Sequence, residues 1–202
     1  MTEKQKTYLF DFDGTLTKGD TLVAFIRYAK GWRRMIAGFL IFSPWIALMM
    51  LHLYNNGRCK ERLFRWFFGG MSERDFNETC KRFAKDNARM IRPMALKTIC
   101  AANDDENPVF VVTASVGNWV RAMLDNYDID VTVVATELDI KDGHVTGFFS
   151  TPNCYGEEKV RRLETLITDR EKRYIIAFGD SKGDQPMMDF ADESHYKPFR
   201  NE

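Results

Sequence analysis

The stretch Tyr8-Leu9-Phe10-Asp11-Phe12-Asp13-Gly14-Thr15-Leu16-Thr17 decides how the chain reads. Its apolar start reads as a short buried strand, and the strand stops abruptly at two acids that flank one residue. Gly14 supplies the conformational freedom for a tight turn directly after them. A strand that ends in paired carboxylates is a poor packing element and a good place for chemistry.

Three further runs share the pattern. Val109-Phe110-Val111-Val112 leads into Thr113-Ala114-Ser115, and a helical spacing follows through Trp119, Val120, Met123 and Leu124. Val131 to Ala135 precedes an expected antiparallel hairpin with Asp142-Gly143 as its turn. Tyr174-Ile175-Ile176-Ala177-Phe178 ends at Gly179-Asp180 and continues as Ser181-Lys182-Gly183-Asp184. β-Branched and aromatic strands alternating with helices predict an α/β fold, a parallel sheet covered by helices on both faces. Ligands in such folds sit beyond the carboxyl ends of the strands. Three of the four runs finish there in Asp or Thr.

Almost a hundred residues separate the first two strands, far more than one crossover helix needs. The expected organisation is a catalytic core from residues 1–16 and 93–202, with residues 17–92 inserted as an all-helical cap. Ser72-Glu73-Arg74-Asp75 predicts a capping box, Phe76, Cys80, Phe83 and Ala84 follow helical spacing, and Pro93 marks the return. Ser115 is expected to cap the helix that follows it.

Asp11 and Asp13 repel one another unless a cation or a shared proton compensates. Mg²⁺ is the natural cation, because it takes hard oxygen ligands, often one or two carboxylates together with phosphate oxygens. Asp180 and Asp184, at the end of another strand, could supply further oxygens. With these residues stated, the chain resembles the haloacid dehalogenase (HAD) superfamily. Asp11 to Thr17 is similar to its first motif, Thr113 to the second, Lys159 in Gly156-Glu157-Glu158-Lys159 to the third, and Gly179 to Asp184 to the fourth. The helical insertion resembles the subfamily IB phosphatases, which include phosphoserine phosphatase. Gly19-Asp20-Thr21-Leu22, the apolar cap and the Gly-Glu-Glu-Lys segment resemble the phosphatidylglycerophosphatase C family most. One position departs: phosphoserine phosphatases usually carry Asn before the last Asp, and here that residue is Gly183.

The resemblance implies a three-layer Rossmann-like core and a phosphomonoester hydrolase working through an aspartyl-phosphate. It makes Asp11 the nucleophile and Asp13 the general acid and base. Thr113, the neighbouring backbone around Ala114, and Lys159 would hold the phosphoryl group. Asp11, the Asp13 carbonyl and Asp180 would bind Mg²⁺, with Asp184 supporting them from behind. An acid at position 13 favours phosphoryl transfer over dehalogenation, since a halide leaves without needing a proton. Lys159 by itself would read as a solvated helix charge, and the three histidines have no partner spacing.

Composition bounds the partners. The chain has 202 residues with 29 basic and 29 acidic side chains. Its formal charge of zero removes the electrostatic case for nucleic acid. Four cysteines without a Cys-x-x-Cys pair read as free thiols of a reducing, cytoplasmic setting. Met1 to Lys6 is polar and does not resemble a secretion signal. Residues 35–57 carry no formally charged side chain when His52 is neutral, close to the roughly 20 residues of a membrane span. Asp11 and Thr113 lie on either side of this segment and must meet at one phosphate, which excludes a single crossing. Two readings stay open: cap helices packed on the core or on a second copy in a homo-oligomer, or a helical hairpin lying on the cytoplasmic membrane face. The substrate is accordingly a lipid phosphate headgroup or a phosphorylated soluble metabolite. A non-catalytic phosphate-binding module is disfavoured by the joint presence of Asp11, Asp13, Thr113, Lys159 and Asp180.

Overall fold

A computed structural model of the chain describes residues 4–200. The first three residues of the polar leader lie outside the described residues. Strand β1 (Gln5–Phe10) is the middle of a parallel five-stranded sheet. It pairs with β2 (Val109–Val116) on one side and β6 (Arg173–Gly179) on the other, and β3 (Thr132–Thr136) and β7 (Glu193–Tyr196) form the edges. The registers set Phe10 beside both Val111 and Phe178, so β1 and β6 end close to the same level, next to the middle of β2. Strand β2 continues to Val116, with Thr113 still in the sheet beside Ala135, so Asp11 and Asp180 leave the sheet next to Thr113.

Alternation along the strands builds two cores. Phe10, Val111, Ile176 and Phe178 belong to the larger, which continues into the helices between β1 and β2. Leu9, Val112, Ile175 and Ala177 face the smaller, with Leu163 of α7 (Glu157–Leu166) and Met187 of α8 (Gln185–Phe190). The edge strand β7 is absent from the sequence reading. Glu193-Ser194-His195-Tyr196 is too polar to announce itself, and its pairing with Ile176–Gly179 creates the strand.

Four helices follow β1: α1 (Thr21–Ile41), broken at Gly31, then α2 (Ser43–Met50), α3 (Asn56–Phe68) and α4 (Glu73–Asp86). They form an all-helical cap on the core. The chain turns by 63° between α1 and α2, where Ser43-Pro44 opens the second helix. At α4 half of the expected capping box forms: Ser72 Oγ accepts from the Asp75 amide at 3.1 Å. After α5 (Pro93–Asp104) and β2 comes α6 (Gly117–Leu124). Strands β4 (Leu138–Lys141) and β5 (His144–Phe149) form the expected hairpin, with Asp142 and Gly143 both at positive φ. The hairpin is a separate sheet that grips the cap. Gly70 donates to Val145, Val145 to Met71 and Glu73 to Gly143, each at 2.8–2.9 Å.

Cap and core share one aromatic cluster. Phe25 of α1 lies 4.9 Å from Trp119 of α6, 5.3 Å from Phe68 and Phe83, and 5.5 Å from Phe76 between ring centroids. All five are buried. Truncating Phe25 opens a cavity at the junction, so Phe25→Ala is expected to lose about 3–5 kcal/mol, measured as the shift in a urea unfolding curve.

Candidate active site

The acidic loop follows from its hydrogen bonds. The Asp11 amide pairs with the Phe178 carbonyl at 2.9 Å, extending the sheet by one residue. The Thr17 amide then closes back on the Phe12 carbonyl at 2.9 Å. Gly14 completes the turn at φ +81°, and a Cβ there would overlap the Asp180 carboxylate. The glycine is what lets the loop and the end of β6 come together.

Lys159 joins the loop to both neighbouring strands. It sits in the first turn of α7, fully buried, and its Nζ donates to Asp11 Oδ1 at 2.7 Å, Asp184 Oδ1 at 2.6 Å and the Val112 carbonyl at 2.7 Å. Burial opposes the ammonium, but the two carboxylates outweigh it and raise its pKa. Asp184 is held below the usual carboxylate range: burial works against that, and Lys159 and Ser181 overcome it. Asp184 Oδ2 also accepts from the amides of Asp180 at 3.2 Å and Ser181 at 2.9 Å, so it braces the loop after β6. Asp11 is pushed up to about 7, because burial and the charge of Asp184 exceed the pull of Lys159.

Asp13 points to the other side. Its Oδ1 accepts from the Thr21 amide at 2.7 Å and the Thr21 hydroxyl at 2.6 Å, and its Oδ2 from the Ser115 hydroxyl. The Thr21 amide is one of the unpaired donors of the first turn of α1, a natural seat for a carboxylate. Burial and the nearby Asp20 raise the Asp13 pKa against these hydrogen bonds. Ser115 is thus no helix cap. It is still in the strand, and Val116 precedes the helix. Thr113 is buried, and its hydroxyl accepts from the Ser115 amide at 3.0 Å. The Ala114 carbonyl takes Lys60 Nζ at 2.6 Å.

Asp11, Asp180 and Asp184 offer oxygens within 4.8 Å of one another. A hard-oxygen donor set of this size fits Mg²⁺. Asp180 can take its place in this group because position 14, whose Cβ would overlap its carboxylate, lacks a side chain. Asp13 is outside this carboxylate group, its own carboxylate being engaged by Thr21 and Ser115.

These groups lie at the base of a cleft of ≈ 720 Å³ between cap and core, which Thr113, Ala114, Lys60 and Arg200 also line. Its cap wall carries the apolar side chains Leu22, Phe39, Ile46, Met49 and Leu63 together with Lys18, Asp20, Asn56 and Lys60. Sequence reasoning missed Thr21, Lys60 and Arg200. Thr21 follows the Asp20 N-cap of α1, which placed it at a helix start and hence near any anion there. Nothing local marks the other two. The departure at Gly183 has a cause: the Tyr155 ring lies where a side chain at 183 would begin.

The profile of the haloacid dehalogenase-like hydrolase family matches residues 8–189. The chain belongs to that family. Protein CicA of Caulobacter vibrioides is 30% identical over 192 residues, covering 95% of this chain and 85% of its own. Among solved structures, a Bordetella pertussis protein of unknown function superimposes with a TM-score of 0.77 at 17% identity, over 95% of this chain and 89% of its own. A substrate-bound phosphoserine phosphatase gives 0.70 at 20%, over 96% and 86%.

In the absence of divalent cation, Lys159 is the counter-ion of two buried carboxylates. Lys159→Met is expected to cost about 3–5 kcal/mol at pH 8 and much less at pH 5. A buried carboxyl whose folded pKa exceeds its unfolded value binds its proton more tightly when folded. Its stabilising contribution is complete at low pH and lost as pH rises through the folded value, about 7 for Asp11 before the ammonium is removed. Urea unfolding at the two pH values measures the difference.

Proposed function

We propose that the protein is a Mg²⁺-dependent phosphomonoesterase that works through a phosphorylated Asp11 and takes a lipid phosphate, phosphatidylglycerophosphate being the candidate. What carries the reading is the buried Lys159 holding Asp11 level with Asp180 and Asp184 at the base of an apolar-walled cleft.

Asp11 is the nucleophile. Its carboxylate oxygen attacks phosphorus, the alkoxide departs, and an aspartyl-phosphate replaces one hard displacement by two easier ones. Asp13 gives a proton to the departing alkoxide and then takes one from the attacking water. Thr21 and Ser115 fix its orientation for both steps. Thr113 and the backbone at Ala114 bind phosphoryl oxygens, and Lys159 offsets their charge. Mg²⁺ would be held by Asp11, Asp180 and the Asp13 carbonyl, with Asp184 in support. When bound it would neutralise charge on the transferring group. Residues 17–92 act as the cap that meets the substrate beyond its phosphate.

The lipid part is supported by the cap surface. No single helix among the described residues is long and apolar enough to cross a membrane, while the bent pair α1–α2 reaches that composition. Trp32, Leu40, Ile41, Met50, Leu51 and Leu53 are each more than half exposed, and Arg33, Arg34 and Arg58 are exposed near them. Meanwhile Phe39, Ile46 and Met49 of the same helices face the cleft. An apolar surface continuous with an apolar wall suits a substrate drawn from a lipid layer, with basic side chains toward anionic headgroups.

Asp11→Asn is expected to abolish turnover without loss of fold, and Asp13→Asn to lower kcat by about 10²- to 10⁴-fold. Chelation of Mg²⁺ should stop turnover and added Mg²⁺ restore it. Phosphatidylglycerophosphate in anionic vesicles should outcompete soluble phosphoesters, and the protein should float with those vesicles. Efficient turnover of a soluble phosphate with no flotation would transfer the assignment to a soluble metabolite.

A further inference from the structure

Arg200 lies far beyond the acidic loops in sequence, yet its guanidinium donates to Asp180 Oδ2 at 2.6 Å. The placement is built. The preceding Phe199 is buried, stacked 5.6 Å from Phe178 and 6.5 Å from Phe10. Its carbonyl accepts from Arg92 Nη1 at 2.9 Å, and Arg92 Nε in turn donates to the Thr17 carbonyl at 3.2 Å. Phe199 is therefore clamped to the root of the cap, and residue 200 emerges at the cleft. Its side chain lines the cleft and stays 47% exposed, so it can exchange one partner for another.

The formal charges of the three clustered carboxylates and of their ion-pair partners define the exchange. Asp11, Asp180 and Asp184 carry three negative charges, and Lys159 and Arg200 carry two positive ones. A divalent cation on these carboxylates changes the balance from one negative to one positive. Lys159 keeps Asp11, Asp184 and the Val112 carbonyl. Arg200 has Asp180 as its carboxylate partner, the acid that the cation also claims. We infer that Arg200 is an exchangeable anion-binding residue: it neutralises Asp180 before the cation binds, then turns its planar fork to the phosphate oxygens of the substrate. The inference rests on the proposed phosphatase reading and adds to it a phosphate ligand outside the four motifs.

The test uses two titrations that need no turnover. Mn²⁺ binding to the metal-free protein is followed by electron paramagnetic resonance, and inorganic phosphate binding to the Mn²⁺-loaded protein by calorimetry. Wild type, Arg200→Gln and Arg200→Lys are compared. Removing a competing cation from a half-exposed pair should make Arg200→Gln bind Mn²⁺ roughly 2- to 5-fold more tightly. Losing a charged hydrogen-bond donor should weaken phosphate roughly 10-fold. Arg200→Lys should fall between, since it keeps the charge and loses the fork. The exchange requires both shifts together; either one alone, or neither, overturns it. Failure of the phosphatase reading would look different: a wild-type protein that turns over no phosphoester while both binding shifts persist.

Discussion

One buried ammonium holds the active region together. Lys159 has three oxygen partners, one each from the residue after β1, the middle of β2 and the turn after β6. Three pieces of chain remote in sequence are thus indexed to a single nitrogen. Burying a lysine is costly unless its charge is paired and all its protons are used, and here each of the three protons has an acceptor. The level registers of β1, β2 and β6 make this possible, since a slip of one residue would turn Val112 and Asp11 to opposite faces. The sheet exists to set this triangle, and the triangle in turn presents the free faces of Asp11 and Asp180 to the cleft.

The opposite carboxylate is held by different means. Among the described residues, Asp13 has hydroxyl and amide donors and no ammonium within hydrogen-bonding distance. Both of its environments are asymmetric with respect to Asp11: one acid is paired with a fixed cation, the other with neutral donors. That is the condition for two nearby acids to take separate roles. Thr21 also accepts from Trp119 Nε1 at 3.0 Å, and Trp119 stacks on Phe25. The acid is therefore linked through one threonine to the aromatic cluster shared by cap and core. A displacement of α1 would move the Thr21 amide and hydroxyl, and Asp13 with them.

Much of this was legible before the structure. Short apolar runs that end in Asp or Thr were enough to give the parallel sheet, because buried strands have little alternative to near-continuous apolar character. Asp142-Gly143 gave the hairpin turn for a stereochemical reason, two consecutive positive φ values. Strand β7 was illegible because its polar residues become a strand through partnership with β6 and through no propensity of their own. Ser115 was misread because strand β2 continues past Val112, and a serine just before a helix is a cap only if the strand has ended. Lys60 and Arg200 were invisible for a plainer reason: each is an ordinary surface-type cation in sequence, and tertiary packing alone carries it to the cleft.

Gly183 illustrates how a departure from a family pattern can be packing and chemistry together. Tyr155 occupies the space beside position 183, and the Gly156 amide donates to the Gly183 carbonyl at 3.0 Å. Any side chain at 183 would displace this ring, which lies two residues before α7, the helix that carries Lys159. The tyrosine lines the cleft, partly exposed, on the side toward the hairpin stem. Tyr155 thus adds one ring to a core side otherwise lined by Asp11, Asp13, Thr113, Lys159, Asp180 and Asp184, while Phe39, Ile46 and Met49 add apolar surface on the cap side.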